Sequence, residues 1–113
     1  LLNGYSVDRE GDQLIVTLVW QAMQEIDTPY NVFVHLVDEQ EKIVAQSDSG
    51  PAGWTRPTTG WVPGEYILDS HTLFLPASSE LSRLRLRVGL YDPASGRRVT
   101  ITAGDSAELS LND

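Results

Sequence analysis

Two histidines, three carboxylates and two tryptophans are the residues of this sequence that could do chemistry. His35 and His71 each fall in the middle of an alternating stretch, and Asp69 lies two residues before His71, on the same face if that stretch is extended. A three-ligand zinc site would need such a carboxylate beside its histidines, so the spacing permits one without specifying it. The plainer reading is a half-buried histidine bonded to backbone or to a neighbouring carboxylate. Asp48, Glu65 and Asp69 border one loop and are the carboxylates that could flank a glycosidic bond, a role needing a separation of about 5–9 Å across a cleft. A small sandwich without long insertions leaves little room for that cleft. Asp48, Asp69 and backbone carbonyls could supply part of a structural calcium shell, but no EF-hand spacing occurs. No serine lies in a Gly-x-Ser-x-Gly elbow, and there is no cysteine, so no nucleophile is marked. No catalytic residue and no cofactor are therefore expected of this chain.

The loop is the stretch from Asp48 to Glu65. It holds two of the three tryptophans, Trp54 and Trp61, and three of the six prolines. Gly and Pro at this density exclude a regular strand or helix. Each indole carries about 150–250 Å² of surface that prefers to leave water. As a sugar platform, Trp54 and Trp61 would stack on pyranose rings while Asp48, Asp69 and Arg56 bond hydroxyls. As structure, they would plug the open end of the domain. Trp61 stands just before a strand, in Trp61-Val62-Pro63-Gly64-Glu65, and suits the plug. Trp54, between Gly53 and Thr55, is the better candidate for exposure. Arg83, Arg85 and Arg87 form a row that could grip an anion, but the acidic surplus favours pairing with carboxylates across the sheet.

The elements that must position these residues are strands. Alternation of period two, with turn residues about every dozen positions, predicts an all-β, antiparallel sandwich of jelly-roll or immunoglobulin-like kind, with about eight strands. The predicted strands are 2–7, 13–20, 30–38, 43–48, 64–75, 81–91, 97–102 and 106–111. Arg9-Glu10-Gly11-Asp12 reads as a turn. Residues 13–20 are apolar on both faces, which predicts a central strand covered on both sides. Residues 30–38 and 43–48 read as a hairpin, residues 21–29 as a connecting loop, and 64–75 as a strand long enough to bend between sheets. Leu81 to Tyr91 should alternate, with Leu84, Leu86, Val88 and Leu90 inward and the arginine row outward. Asp92-Pro93-Ala94-Ser95-Gly96 is a strong turn.

The 113 residues fit one domain, and no boundary interrupts them. Eight basic residues against sixteen acidic ones give a net charge of −8. That argues against nucleic acid and against anionic lipid headgroups. No apolar run approaches the roughly 20 residues of a membrane span. The chain begins Leu1-Leu2 without Met and reads as a fragment of a longer protein. As an isolated domain it is expected to be a monomer.

A set of short motifs, weak singly and more specific in their order, carries a family resemblance. They are Phe33-Val34-His35-Leu36-Val37-Asp38, Val44-Ala45-Gln46-Ser47-Asp48 with Pro51, Pro57-Thr58, Trp61-Val62-Pro63-Gly64-Glu65, Asp69, Leu75-Pro76, and Val88-Gly89-Leu90-Tyr91-Asp92-Pro93 with Gly96-Arg97. Together with Gly4-Tyr5 and Leu18-Val19-Trp20 they resemble the C-terminal β-sandwich domain of bacterial multi-pass membrane glycosyltransferase-like proteins, relatives of the protein mannosyltransferases and lipid-A aminoarabinose transferases. The resemblance spans nearly the whole chain. It departs at Ser79-Glu80-Leu81-Ser82-Arg83, where the family often shows a Pro-Gly-x-Tyr-type segment. It implies an extracytoplasmic accessory domain, tethered to the membrane portion of its own parent chain, whose transfer chemistry resides in that membrane portion. Carbohydrate or a lipid-linked sugar is then the expected partner. A free-standing carbohydrate-binding module and a purely structural or protein-interaction domain are the alternatives.

Overall fold

The computed structural model describes residues 1–76, 80–99, 101 and 107–109, with 107 and 108 described for their backbone alone. The chain folds as an all-β sandwich of two antiparallel sheets. Eight strands are described: β1 (Leu2–Glu10), β2 (Gln13–Gln21), β3 (Asn31–Val37), β4 (Ile43–Ser49), β5 (Tyr66–Phe74), β6 (Arg85–Tyr91), β7 (Arg98–Val99) and β8 (Ala107–Leu109). One sheet has the order β1-β2-β5. The other has the order β4-β3-β6-β7, with β8 also pairing to β6. The core lies between them, where Leu14, Val16, Leu18 and Trp20 of β2 meet Val32, Val34 and Leu36 of β3 and Leu86, Val88 and Leu90 of β6.

Alternation decides which side chains enter. On β5 the inward set is Ile67, Asp69, His71 and Leu73, so two polar residues stand between two apolar ones inside the sandwich. β2 is central, as its double apolar pattern predicts, but only one of its faces is covered. Ile15, Thr17 and Val19 are half-exposed on the outside. They are shielded sideways instead: Val19 pairs with Leu68, Ile15 with Thr72, and Thr17 hydrogen-bonds Ser70 at 3.1 Å. β5 stays in one sheet and does not bend into the other.

Two of the boundaries that differ from the sequence reading have their cause in a turn. β1 runs through to Glu10, because Gly11 takes φ +62° and lets the chain reverse over Gly11-Asp12 alone. β6 begins at Arg85, because Leu81–Arg83 forms a 3₁₀ turn closed by Leu84 N–H to the Leu81 carbonyl. The β3–β4 hairpin closes around Asp38, whose Oδ1 accepts the N–H groups of Gln40 and Lys42. After β6 the turn forms as expected: Gly96 takes φ +77° and donates its N–H to the Asp92 carbonyl. Residues 77–79, the turn expected at 103–105 and the outer ends of the last two expected strands lie outside the described residues. Among the described residues no helix is long and apolar enough to cross a membrane.

Candidate functional site

The loop between β4 and β5 is built from nested turns. Trp54 N–H bonds the Gly50 carbonyl, Thr55 N–H that of Ala52, and Arg56 N–H that of Pro51. Three consecutive residues, Ala52, Gly53 and Trp54, take φ of 54°, 62° and 71°. That is a left-handed turn, which costs an L-residue about 1–2 kcal/mol each and costs glycine nothing comparable. Its effect is to lay the Trp54 ring on Gly50, where a Cβ would meet Trp54 Cε3 at 2.6 Å. Only glycine leaves that space. Trp54 is 66% exposed.

Trp61 is the opposite case. It is 3% exposed, packed in the core, with Nε1 donating to the Arg56 carbonyl at 2.9 Å. It has no face to offer a sugar ring and acts as the plug. Arg56 spends its guanidinium on Glu65, at 2.7 Å, and Glu65 also accepts the Val62 N–H. The Val62 amide and then Arg56 hold the Glu65 carboxyl below its usual value. Thr58 anchors the loop from within. Fully buried, it accepts the Tyr30 N–H and donates to the Thr28 carbonyl.

Asp69 has no exposed surface. Its Oδ1 accepts the Ala52 N–H at 2.8 Å, and its Oδ2 accepts Trp20 Nε1 at 3.1 Å and faces His71 Nε2 at 2.8 Å. His71 Nδ1 lies 2.9 Å from Ser47 Oγ. With Asp69 ionised and the imidazole neutral, Nε2 carries the proton and Nδ1 accepts the Ser47 hydroxyl. Serine, histidine and aspartate are thus in a line, with the two ring nitrogens exchanged relative to an acyl-transfer triad. None of the clefts described in this structure is lined by any of the three. The relay serves as a clasp, from β4 through β5 to the loop and to Trp20. Among the described residues no group of three His, Cys, Asp or Glu is placed to hold a metal ion.

Asp48 parts company with Asp69. It points to the outer face of the larger sheet, beside His35, with Nε2 to Oδ1 at 3.3 Å. His35 Nε2 is buried, with Asp48 as its near partner at this long distance. Burial pushes the His35 pKa down from its usual value, partly opposed by Asp48. His35 and Asp48 belong to a cleft of about 170 Å³ with Phe33, Tyr91, Gly96 and Arg98. Phe33 forms its base, 2% exposed on what would otherwise be a solvent face. It is covered by His35 at 4.9 Å, Tyr91 at 6.4 Å and the Arg98 guanidinium at 4.5 Å from its ring centre. A larger cleft of about 260 Å³ beside Trp61 is walled by apolar side chains apart from Gln24 and the amino terminus. Lacking convergent polar groups, it is the weaker candidate for a specific ligand.

The sequence reading grouped Trp54, Trp61, Asp48, Asp69 and Arg56. The structure gives Trp61 and Asp69 to the core and Arg56 to Glu65, and leaves Trp54 and Asp48 presented outward. The sequence reading assigned no site role to Phe33, Tyr91 and Arg98, which come from three strands. The available signal was the alternation of Phe33 and His35 with buried Val32, Val34 and Leu36, which sets both on the outer face. Among the described residues, Glu41 of the β3–β4 turn pairs with Arg85 and with Arg87, the latter at 2.8 Å, while Arg83 pairs with Glu80. No protein-family description, no curated protein and no solved structure matches this chain.

Proposed function

We propose that this chain is a non-catalytic accessory domain that contacts carbohydrate through Trp54, as the resemblance to membrane glycosyltransferase-like proteins implies. One observation carries the reading. Trp54 occupies a left-handed backbone position and is 66% exposed. A large aromatic held outward at a conformational cost, on a loop tied to the core, fits a stacking platform for a sugar ring. The largest exposed side chain of the loop would otherwise be spent against stability.

Intrinsic fluorescence with an acrylamide quencher tests this. Trp20 and Trp61 are buried, so Trp54 alone should be quenched freely. Oligosaccharides should protect it, and Trp54→Ala should abolish the protected component. Free quenching unchanged by every oligosaccharide ends the proposal. The tie to a membrane portion is tested separately, by the gene sequence preceding Leu1: apolar runs of about 20 residues support it and their absence removes it.

A second reading, a protein-interaction domain, is favoured by one feature. Tyr66, Leu68 and Phe74 are all exposed on the outer face of β5. Sedimentation that shows self-association, lost on Leu68→Ser, would favour it.

A further inference from the structure

We infer that the cleft over Phe33 is a binding site for an anionic monosaccharide unit, a sugar ring bearing a carboxylate or a phosphate. The argument starts from charge. The chain has twice as many acidic as basic residues, and Arg56, Arg83, Arg85 and Arg87 are all paired to carboxylates. Arg98 is not: its one close partner among the described residues is the Phe33 ring, 4.5 Å from the guanidinium carbon. Stacking fixes the plane of a guanidinium and leaves its N–H donors for an anion, which they can grip two at a time.

A bare anion fits the cleft poorly, because Asp48 stands in the same wall and would repel it. A sugar acid fits better. Its charge meets Arg98, its hydroxyls find an acceptor in Asp48, and its C–H face meets Tyr91. The cleft has room for one ring rather than a chain of rings. Its far wall is preset, since the turn carrying Gly96 is locked by Asp92, which accepts the Ala94 and Gly96 N–H groups. This site shares only the class of ligand, carbohydrate, with the Trp54 reading and does not depend on it.

The test is an amide NMR titration of the domain at constant ionic strength, with glucuronate, glucose 1-phosphate, glucose and inorganic phosphate as separate probes. The two charged sugars should shift the amides of Tyr91, Gly96 and Arg98 saturably. Glucose and inorganic phosphate should each bind about tenfold more weakly or worse, since each lacks one charged or hydroxyl contact. Arg98→Gln should remove the charged-sugar preference, with folding checked by melting temperature. Asp48→Ala discriminates further: it weakens binding if the carboxylate holds hydroxyls and tightens it if charge alone is read. Trp54→Ala should leave these shifts in place, so a failure of the Trp54 reading is seen separately. Glucose binding as tightly as glucuronate, phosphate alone binding as tightly as its sugar ester, tightening by Asp48→Ala, or no saturable shift would each overturn the inference.

Discussion

His71 Nε2 lies 2.8 Å from Asp69 Oδ2 inside the sandwich, with side-chain exposures of 1% and 0%. The two residues alternate inward on β5, so the strand's period of two sets them side by side. The carboxylate then gathers Trp20 from β2 and Ala52 from the loop. Asp69→Ala strands three polar groups in the core at once. A loss of about 3–5 kcal/mol is expected, the range for removing one partner of a buried polar pair. Urea denaturation checks it; a loss under about 1 kcal/mol would mean that water enters and satisfies the group.

Trp61→Ala empties the end of the core. Deleting a buried aromatic of this size should cost about 3–5 kcal/mol. The same substitution at Trp54 should stay within about 0.5 kcal/mol, the range for exposed positions. Equal melting temperatures for the two variants would contradict the assignment of plug and platform.

The left-handed backbone at Trp54 makes an unusual expectation. Trp54→Gly removes the largest side chain of the loop yet relieves the steric cost of φ 71°. Stability should be unchanged or raised. Gly50→Ala has the opposite character: its methyl collides with the indole, and Trp54 must leave its seat. The tryptophan emission of that variant should shift while secondary structure holds. An unaltered spectrum would mean that the ring does not rest on Gly50.

Acid should weaken the fold in two stages. Burial depresses the His35 pKa below its usual 6.5, so its contribution is full above that value and is lost as pH falls. Asp48 opposes this depression, while Arg98 and Arg87, which face the same imidazole, add to it. Glu65, held below its usual 4.5 by Val62 N–H and Arg56, contributes above that value and loses its contribution as pH falls through its lowered one. His35→Gln should flatten the melting-temperature slope between about pH 7 and 5 and leave the lower stage in place. An identical slope in wild type and variant would remove His35 from the account.

The strand faces were legible in sequence because period two is a local property. β2, β3 and β6 alternate as read, and the inward pairing of Asp69 with His71 follows from their spacing. The partners of that pair were not legible. Ser47 and Trp20 reach it from other strands, by the packing of sheet on sheet and by register, which no local pattern encodes. The anchoring role of Thr58 was not legible for a similar reason: its bonds run to Thr28 and Tyr30, some thirty residues away in the chain. The cleft over Phe33 draws on four strand segments and a turn, so its residues look like ordinary solvent-face positions when read singly.

The buried polar pair also lies on a strand at the border of its sheet, since among the described residues the order β1-β2-β5 leaves β5 with one neighbouring strand. Its outer face carries Tyr66, Leu68 and Phe74, all exposed. A border strand with such a face invites another chain to add on, with fibril growth as the end point. The Asp48–Glu65 loop is tied to this strand from the inward side, where the Ala52 N–H bonds Asp69 Oδ1. Mending the core with hydrophobic residues would cut that tie and leave the border strand less guarded, so solubility and stability need not move together.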